Sequence, residues 1–147
     1  LDRHFMERAQ KTGRRTAGLE DIDTQISMLD GMSATEQRQM LAESLDEVAK
    51  GDAQARQLHD AWRRGDERLL WNKMAMEMRQ QYPQLYQRIN TGRNDAWVPK
   101  LVPYLQAGQG GTLVVVGGLH LLGSDGVVEK LKAKGYKVER VCTGCKR

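Results

Sequence analysis

The feature that most constrains this chain is the run TLVVVGG at residues 112–118, an apolar stretch with no alternation. Such a run is expected of a strand buried on both faces. A turn carrying His120 follows it. Then GSDGVVEKLKAKG reads as a helix capped by Ser124 or Asp125, running to Lys134 and ended by Gly135. YKVERV, residues 136–141, reads as a last strand. Strand, helix and strand at this spacing predict a βαβ unit with parallel, right-handed pairing.

The upstream chain is dominated by helical periodicity. Phe5, Met6 and Ala9 share one face of a first helix that Gly13 ends. Residues 15–20 read as a short strand. Ile22, Ile26 and Leu29 line one side of a helical or turn-like segment. Ser33 and Glu36 form a capping box that opens a helix through Lys50, with Met40, Leu41, Leu45 and Val48 as its apolar stripe. Gly51 stops it, and Asp52 caps a helix carrying Leu58, Ala61 and Trp62. Asp66 caps another with Leu69, Leu70, Met74 and Met78 inward and Met76 partly exposed. Pro83 sits in the first turn of a short helix ended at Gly92. Trp97, Leu101 and Leu105 keep helical spacing, while Pro99 and Pro103 argue for a kink or a start near Val98. Residues 106–111 form a flexible loop. The expected fold class is therefore α/β, or α+β: helix-rich, with a small three-stranded, mostly parallel sheet. The three tryptophans, Trp62, Trp71 and Trp97, read as core or interface anchors, and His4 and His59 as solvated.

Size and charge narrow the function. A chain of 147 residues is long enough for one domain with a real core. Its net charge of +4 is spread among both signs, with no basic run and no interleaving of basic and aromatic residues, so no nucleic-acid partner is expected. No apolar stretch approaches the roughly 18 residues that span a bilayer. The opening LDRHFMERAQ has neither an initiator Met nor a signal-peptide core, so the chain reads as a processed or truncated product. Cys142 and Cys145 form a C-x-x-C with no second ligand pair for zinc and too little chain after it for a thioredoxin-type site. Residues 142–147 read as a flexible tail holding a local disulfide or two thiols, and the redox compartment stays open.

In open α/β sheets, ligands collect beyond the carboxyl ends of strands. On that view Gly117 and Gly118 give close backbone approach, and His120 projects over the sheet edge, able to ligate a metal or move a proton. The motif is neither a Walker loop nor a dinucleotide fingerprint. Glu20, at the end of the first expected strand, falls at the same edge. Arg93 and Asn94 precede the helix that leads into the His120 strand. A carboxylate, an imidazole and a guanidinium in one crevice make a plausible hydrolytic or metal site. The bland alternatives are a satisfied, half-buried His120, a Glu20 that merely opens a helix, and an Arg93 paired on the surface with Asp95.

AGLED with Gln25, LHDAWRRGD at 58–66, YPQLYQRINTGRNDAW at 82–97 and VVVGGLHLLGSDGVVEKLKAKGYKVERV at 114–141 together resemble the TraB/GumN family. That family is related to the Tiki and PrgY proteins and to the erythromycin-esterase and ChaN-like fold group. The resemblance implies a metalloprotease-like α/β domain whose signature is two G-x-x-H motifs, a glutamate and an arginine. The second G-x-x-H falls on Gly117 to His120, the glutamate on Glu20 and the arginine on Arg93. The first G-x-x-H has no match, so residues 1–147 are expected to be the C-terminal portion of such a domain, with the half carrying that motif upstream.

On this resemblance Glu20, Arg93 and His120 are the catalytic candidates, with Glu20 and His120 as ligands of a divalent metal (Mn, Co or Zn) held weakly by this chain alone. Asn94, Gly117 and Gly118 are the substrate-binding candidates. The implied function is a metal-dependent hydrolase acting on a peptide or small-molecule substrate, in the bacterial cell envelope or periplasm rather than the cytoplasm. The alternative is a regulatory protein that binds such a ligand without turnover. An isolated three-stranded sheet would expose an edge and an apolar patch, so a homodimer is expected, with Leu and Met side chains from residues 33–92 in the contact.

Overall fold

Capping residues decide where the helices begin and end. In this computed structural model, which describes residues 2–107 and 110–142, α1 (Asp2–Lys11) closes with Arg14 N–H on the Ala9 carbonyl and Gly13 N–H on that of Gln10. Asp21 accepts from Thr24 N–H at 2.7 Å and opens α2 (Ile22–Asp30). The Ser33–Glu36 capping box opens α3 (Ala34–Arg64) as expected. Gly51, at φ +65° and ψ −167°, stops the first helical run as expected, so α3 is two helices joined across a kink. Asp66 caps α4 (Glu67–Trp71) through Leu69 N–H.

From there the chain stays helical almost to the His120 segment. A π-helical stretch, Asn72–Met76, leads into α5 (Glu77–Gln81), and Pro83 occupies the first position of α6 (Pro83–Tyr86). A second π-helical stretch, Gln87–Thr91, joins α6 to α7 (Gly92–Gln106). Gly92 thus continues a helix rather than ending one, and α7 runs through both Pro99 and Pro103. The first π turn inserts one residue into the helical phase. It carries Ala75 inward, 1% exposed, and turns Met74 outward, which overturns its reading as core.

The expected sheet is not there. No strand occurs among the described residues, so the α/β class and the βαβ unit give way to an all-α architecture. A strand is stable only when a neighbour takes its N–H and C=O groups, whereas a helix closes its own bonds locally. Residues 15–20, 112–117 and 136–141 stay irregular, and no pairing forms among them. Leu113 and Val141 are 67% and 85% exposed, and Val116 alone of the 113–116 run packs on the core. Arg140 ties the 136–141 segment to the Gly65 carbonyl and to Glu67. His120 therefore sits not at a sheet edge but in a 3₁₀ turn, Gly118–Leu121. α8 (Val127–Ala133) begins at Gly126 with no side-chain cap from Ser124 or Asp125 and closes through Gly135.

One apolar cluster joins α7 to α8, and further residues are buried elsewhere. Trp97, Val98 and Leu101 of α7 meet Val127 of α8, with Leu19, Val116 and Leu131 packed around them. Met32, Ala61, Ala75, Leu85 and Tyr86 are buried among the middle helices. There Arg88 reaches back across the chain to Glu36, at 2.8 and 3.3 Å, so the α3 cap is also a tertiary clamp. No helix among the described residues is long and apolar enough to cross a membrane. Cys142 is disulfide-bonded. Residues 108–109 of the expected loop, and 143–147 with Cys145 and most of the expected flexible tail, lie outside the described residues.

Candidate functional site

Helical spacing gives α7 two working faces. Residues 93, 97 and 100 lie one above another, as do 94, 98 and 101. The first set grips the turn between α1 and α2. The Arg93 guanidinium donates through Nε to both Glu20 oxygens at 2.9 and 3.2 Å and through Nη2 to Oε2 at 2.8 Å. The Trp97 indole donates to Glu20 Oε1 at 2.8 Å, and Lys100 Nζ to the Leu19 carbonyl at 2.6 Å. Asp21, capping α2, fixes the turn from its other side. A fork of this kind is the strongest side-chain pairing available to a carboxylate, and the Glu20 side chain is 7% exposed.

The second set holds the His120 turn. Asn94 is fully buried; its Nδ2 donates to the Asp125 carbonyl at 2.8 Å, and its Oδ1 lies 2.8 Å from His120 Nδ1. The 3₁₀ turn itself closes with His120 N–H on the Gly117 carbonyl at 3.0 Å. Trp97 stands between the two halves. Its ring centroid is 4.4 Å from that of His120, and the Arg93 guanidinium carbon lies 4.8 Å from its ring. Across it, Arg93 Nη1 comes to 3.5 Å from His120 Nε2 and equally from the Ile89 carbonyl.

Charge follows geometry. Burial raises the Glu20 carboxyl, but hydrogen bonds and charge from Arg93, helped by Trp97 and Gln25, outweigh it and hold the group below the usual carboxylate range. Burial, then the Arg93 charge, pushes His120 down to about 4 against a smaller upward pull from Glu20. At neutral pH the site thus holds a carboxylate, a guanidinium and a neutral imidazole.

Glu20, Arg93, Asn94 and His120 are therefore brought together, though 73 positions separate the first two. Arg93 does not pair with Asp95, which bonds Lys130 instead. Gly117, at φ −58°, has an ordinary backbone, and a Cβ there would stand 3.6 Å from the His120 ring. Gly118 faces open space. The glycine the turn requires is Gly123: φ is +69°, and a Cβ would come within 2.3 Å of the Trp71 ring. Trp97 was the residue hardest to see as part of the site. Its i, i+4 relation to Arg93 was the available signal, and its apolar character pointed to the core instead.

A catalytic metal usually takes three protein ligands and an open position. Among the described residues no group of three His, Cys, Asp or Glu side chains could hold a metal ion. Both Glu20 oxygens already accept from Arg93 or Trp97. The donors described do not fit a complete metal site. In comparisons with known proteins, a family model described as the TraB/PrgY/gumN family matches residues 1–140. No curated protein and no solved structure matches the chain.

Proposed function

This chain belongs to the TraB/PrgY/gumN family, and from that premise we propose that it carries the histidine–arginine part of a hydrolytic site acting on peptide bonds. The observation that carries the reading is the approach of Arg93 Nη1 to His120 Nε2 at 3.5 Å, with Glu20 steering the guanidinium from behind. A substrate carbonyl beside this pair places its developing oxyanion against the Arg93 N–H. The water that attacks the carbonyl carbon gives its proton to His120 Nε2. The C–N bond then breaks, and His120 returns the proton to the leaving amine. An imidazole held down to about 4 is a weak base in the resting site. Burial is the larger cause of that depression and stays in place, but negative charge gathering near Arg93 offsets the part the guanidinium adds, so proton affinity rises as the oxyanion forms.

The test is turnover of a quenched fluorescent peptide mixture by the full-length protein. Arg93→Lys keeps the charge but loses the planar fork. We expect it to lower the rate on the order of 100-fold with an unchanged circular dichroism spectrum. Unchanged turnover, or loss of the fold, overturns the assignment.

A second reading, binding of a peptide or small ligand without turnover, is favoured by one observation: the Glu20 carboxylate is fully committed and has no free oxygen to activate water. Saturable peptide binding with no cleavage selects it. We place the protein's work in the bacterial cell envelope or periplasm, supported by the family resemblance alone. We also propose a homodimer, supported by the Leu41, Leu45 and Val48 stripe of α3, which is 60%, 61% and 77% exposed. Light scattering over a dilution series checks it, and a monomer at every concentration contradicts it.

A further inference from the structure

We propose that Asn94 is a positioning residue that fixes His120 as its Nδ1–H tautomer, so that Nε2 presents a lone pair to Arg93 and to whatever occupies the space beside it. Two independent constraints lead to the same tautomer. An Asn amide has one accepting end and one donating end. The Asp125 carbonyl can only accept, so it takes the Asn94 NH₂ at 2.8 Å and leaves Oδ1 facing the imidazole. Oδ1, an acceptor, lies 2.8 Å from His120 Nδ1, which must therefore carry the hydrogen. On the far side of the ring, Arg93 offers only donors. Its Nη1 stands 3.5 Å from Nε2, which must then be the unprotonated nitrogen. Either contact alone selects this tautomer, and the two come from separate residues on the two faces of α7.

The arrangement is fixed from behind. Asn94 is fully buried, and both ends of its amide are satisfied inside the fold, so it is not available to bind substrate. Asp125 is itself held, through its carboxylate, by Arg79 at 3.4 Å. The chain Arg79, Asp125, Asn94 and His120 thus transmits a backbone position to a ring orientation. This is how outer partners orient a histidine that works through its other nitrogen. The tautomer stands on the geometry alone and rests on the hydrolase reading only for what Nε2 then does.

The experiment is long-range proton–nitrogen correlation spectroscopy on histidine-labelled full chain at neutral pH, which needs neither substrate nor turnover. His4 and His59, both exposed, provide internal references for tautomer mixtures. His120 is expected to show Nδ1 in the protonated, pyrrole-like range and Nε2 in the unprotonated, pyridine-like range. Asn94→Asp keeps an acceptor for Nδ1 and is expected to keep the pattern. Asn94→Leu removes the acceptor and is expected to bring the two nitrogen shifts together as tautomers mix. A wild-type spectrum with the hydrogen on Nε2 overturns the proposal whether or not either variant folds. So does a folded Asn94→Leu protein whose His120 pattern is unchanged. Absence of peptidase activity beside the expected spectrum would remove the hydrolase reading and leave this one standing.

Discussion

α7 and the first half of α3 are both helices with clear apolar and polar positions, yet they have opposite fates. On α7, Arg93, Asn94, Trp97 and Lys100 each bond a group at least 26 positions away in sequence, and Val98 and Leu101 are buried beside them. On α3, the stripe from Met40 to Val48 is exposed, although Glu36 pairs with Arg88 at its start and Lys50 lies 3.7 Å from Glu77 at its end. A helical period marks a face; it does not say what covers that face. On α7 the polar partners are crowded into two turns and the apolar residues between them are buried; on α3 they stand 14 positions apart and the stripe between them is left open.

The sharpest way to break this comparison is truncation on each helix. Trp97→Ala removes a buried aromatic and the indole bond to Glu20, and is expected to cost about 3–5 kcal/mol. Leu45→Ala on the exposed stripe is expected to change the stability of the monomer, measured at a dilution that dissociates the proposed dimer, by less than about 0.5 kcal/mol. Urea titration of both variants decides it. A large loss at Leu45 would mean that α3 is covered as tightly as α7.

A smaller effect is expected at Gly123. Alanine there meets the Trp71 ring and must hold φ near +69°, at an expected cost of about 2–3 kcal/mol. A neutral substitution in the same titration would mean that Trp71 does not brace the His120 turn.

Acid separates His120 from the buried carboxylates by window. His120 binds its proton less readily in the folded state, at about 4 against 6.5. The unfolded chain therefore takes up more protons between those values, and stability falls as pH drops from 6.5 towards 4. Glu36 is held down to about 2 by the Arg88 hydrogen bonds, with Ser33 adding to them, from an ordinary 4.5. Its contribution is complete above 4.5 and disappears as pH falls towards 2. Unfolding free energy measured against pH is expected to lose the upper limb in His120→Gln and to show a shallower lower limb in Glu36→Gln, where Glu20, also held below its ordinary value, keeps part of the slope. An upper limb that survives His120→Gln would contradict burial of a neutral imidazole.

Local chemistry accounts for what was legible in the sequence. The caps at Ser33 and Asp66, the break at Gly51 and the helix ends at Gly13 and Gly135 depend on residues within one turn of one another. The convergence of Glu20, Arg93, Asn94 and His120 in space was legible. What could not be seen was the frame that brings them together. The 112–118 run has the composition of a buried strand, but strand formation depends on a partner, and no described segment pairs with it. Its one large inward contribution is Val116. The π turns at residues 72–76 and 87–91 were equally hidden, because one inserted residue shifts every later side chain without altering composition.

The central claim is that Glu20 is committed to Arg93 and thereby aims it at His120. A double-mutant cycle with Glu20→Gln and Arg93→Met, read as unfolding free energy at physiological ionic strength, tests it most directly. The account predicts a coupling of at least about 1 kcal/mol, as for charged groups in direct, mostly buried contact. Effects that add within about 0.3 kcal/mol would contradict it, leaving the Glu20 carboxylate free and Arg93 without its support.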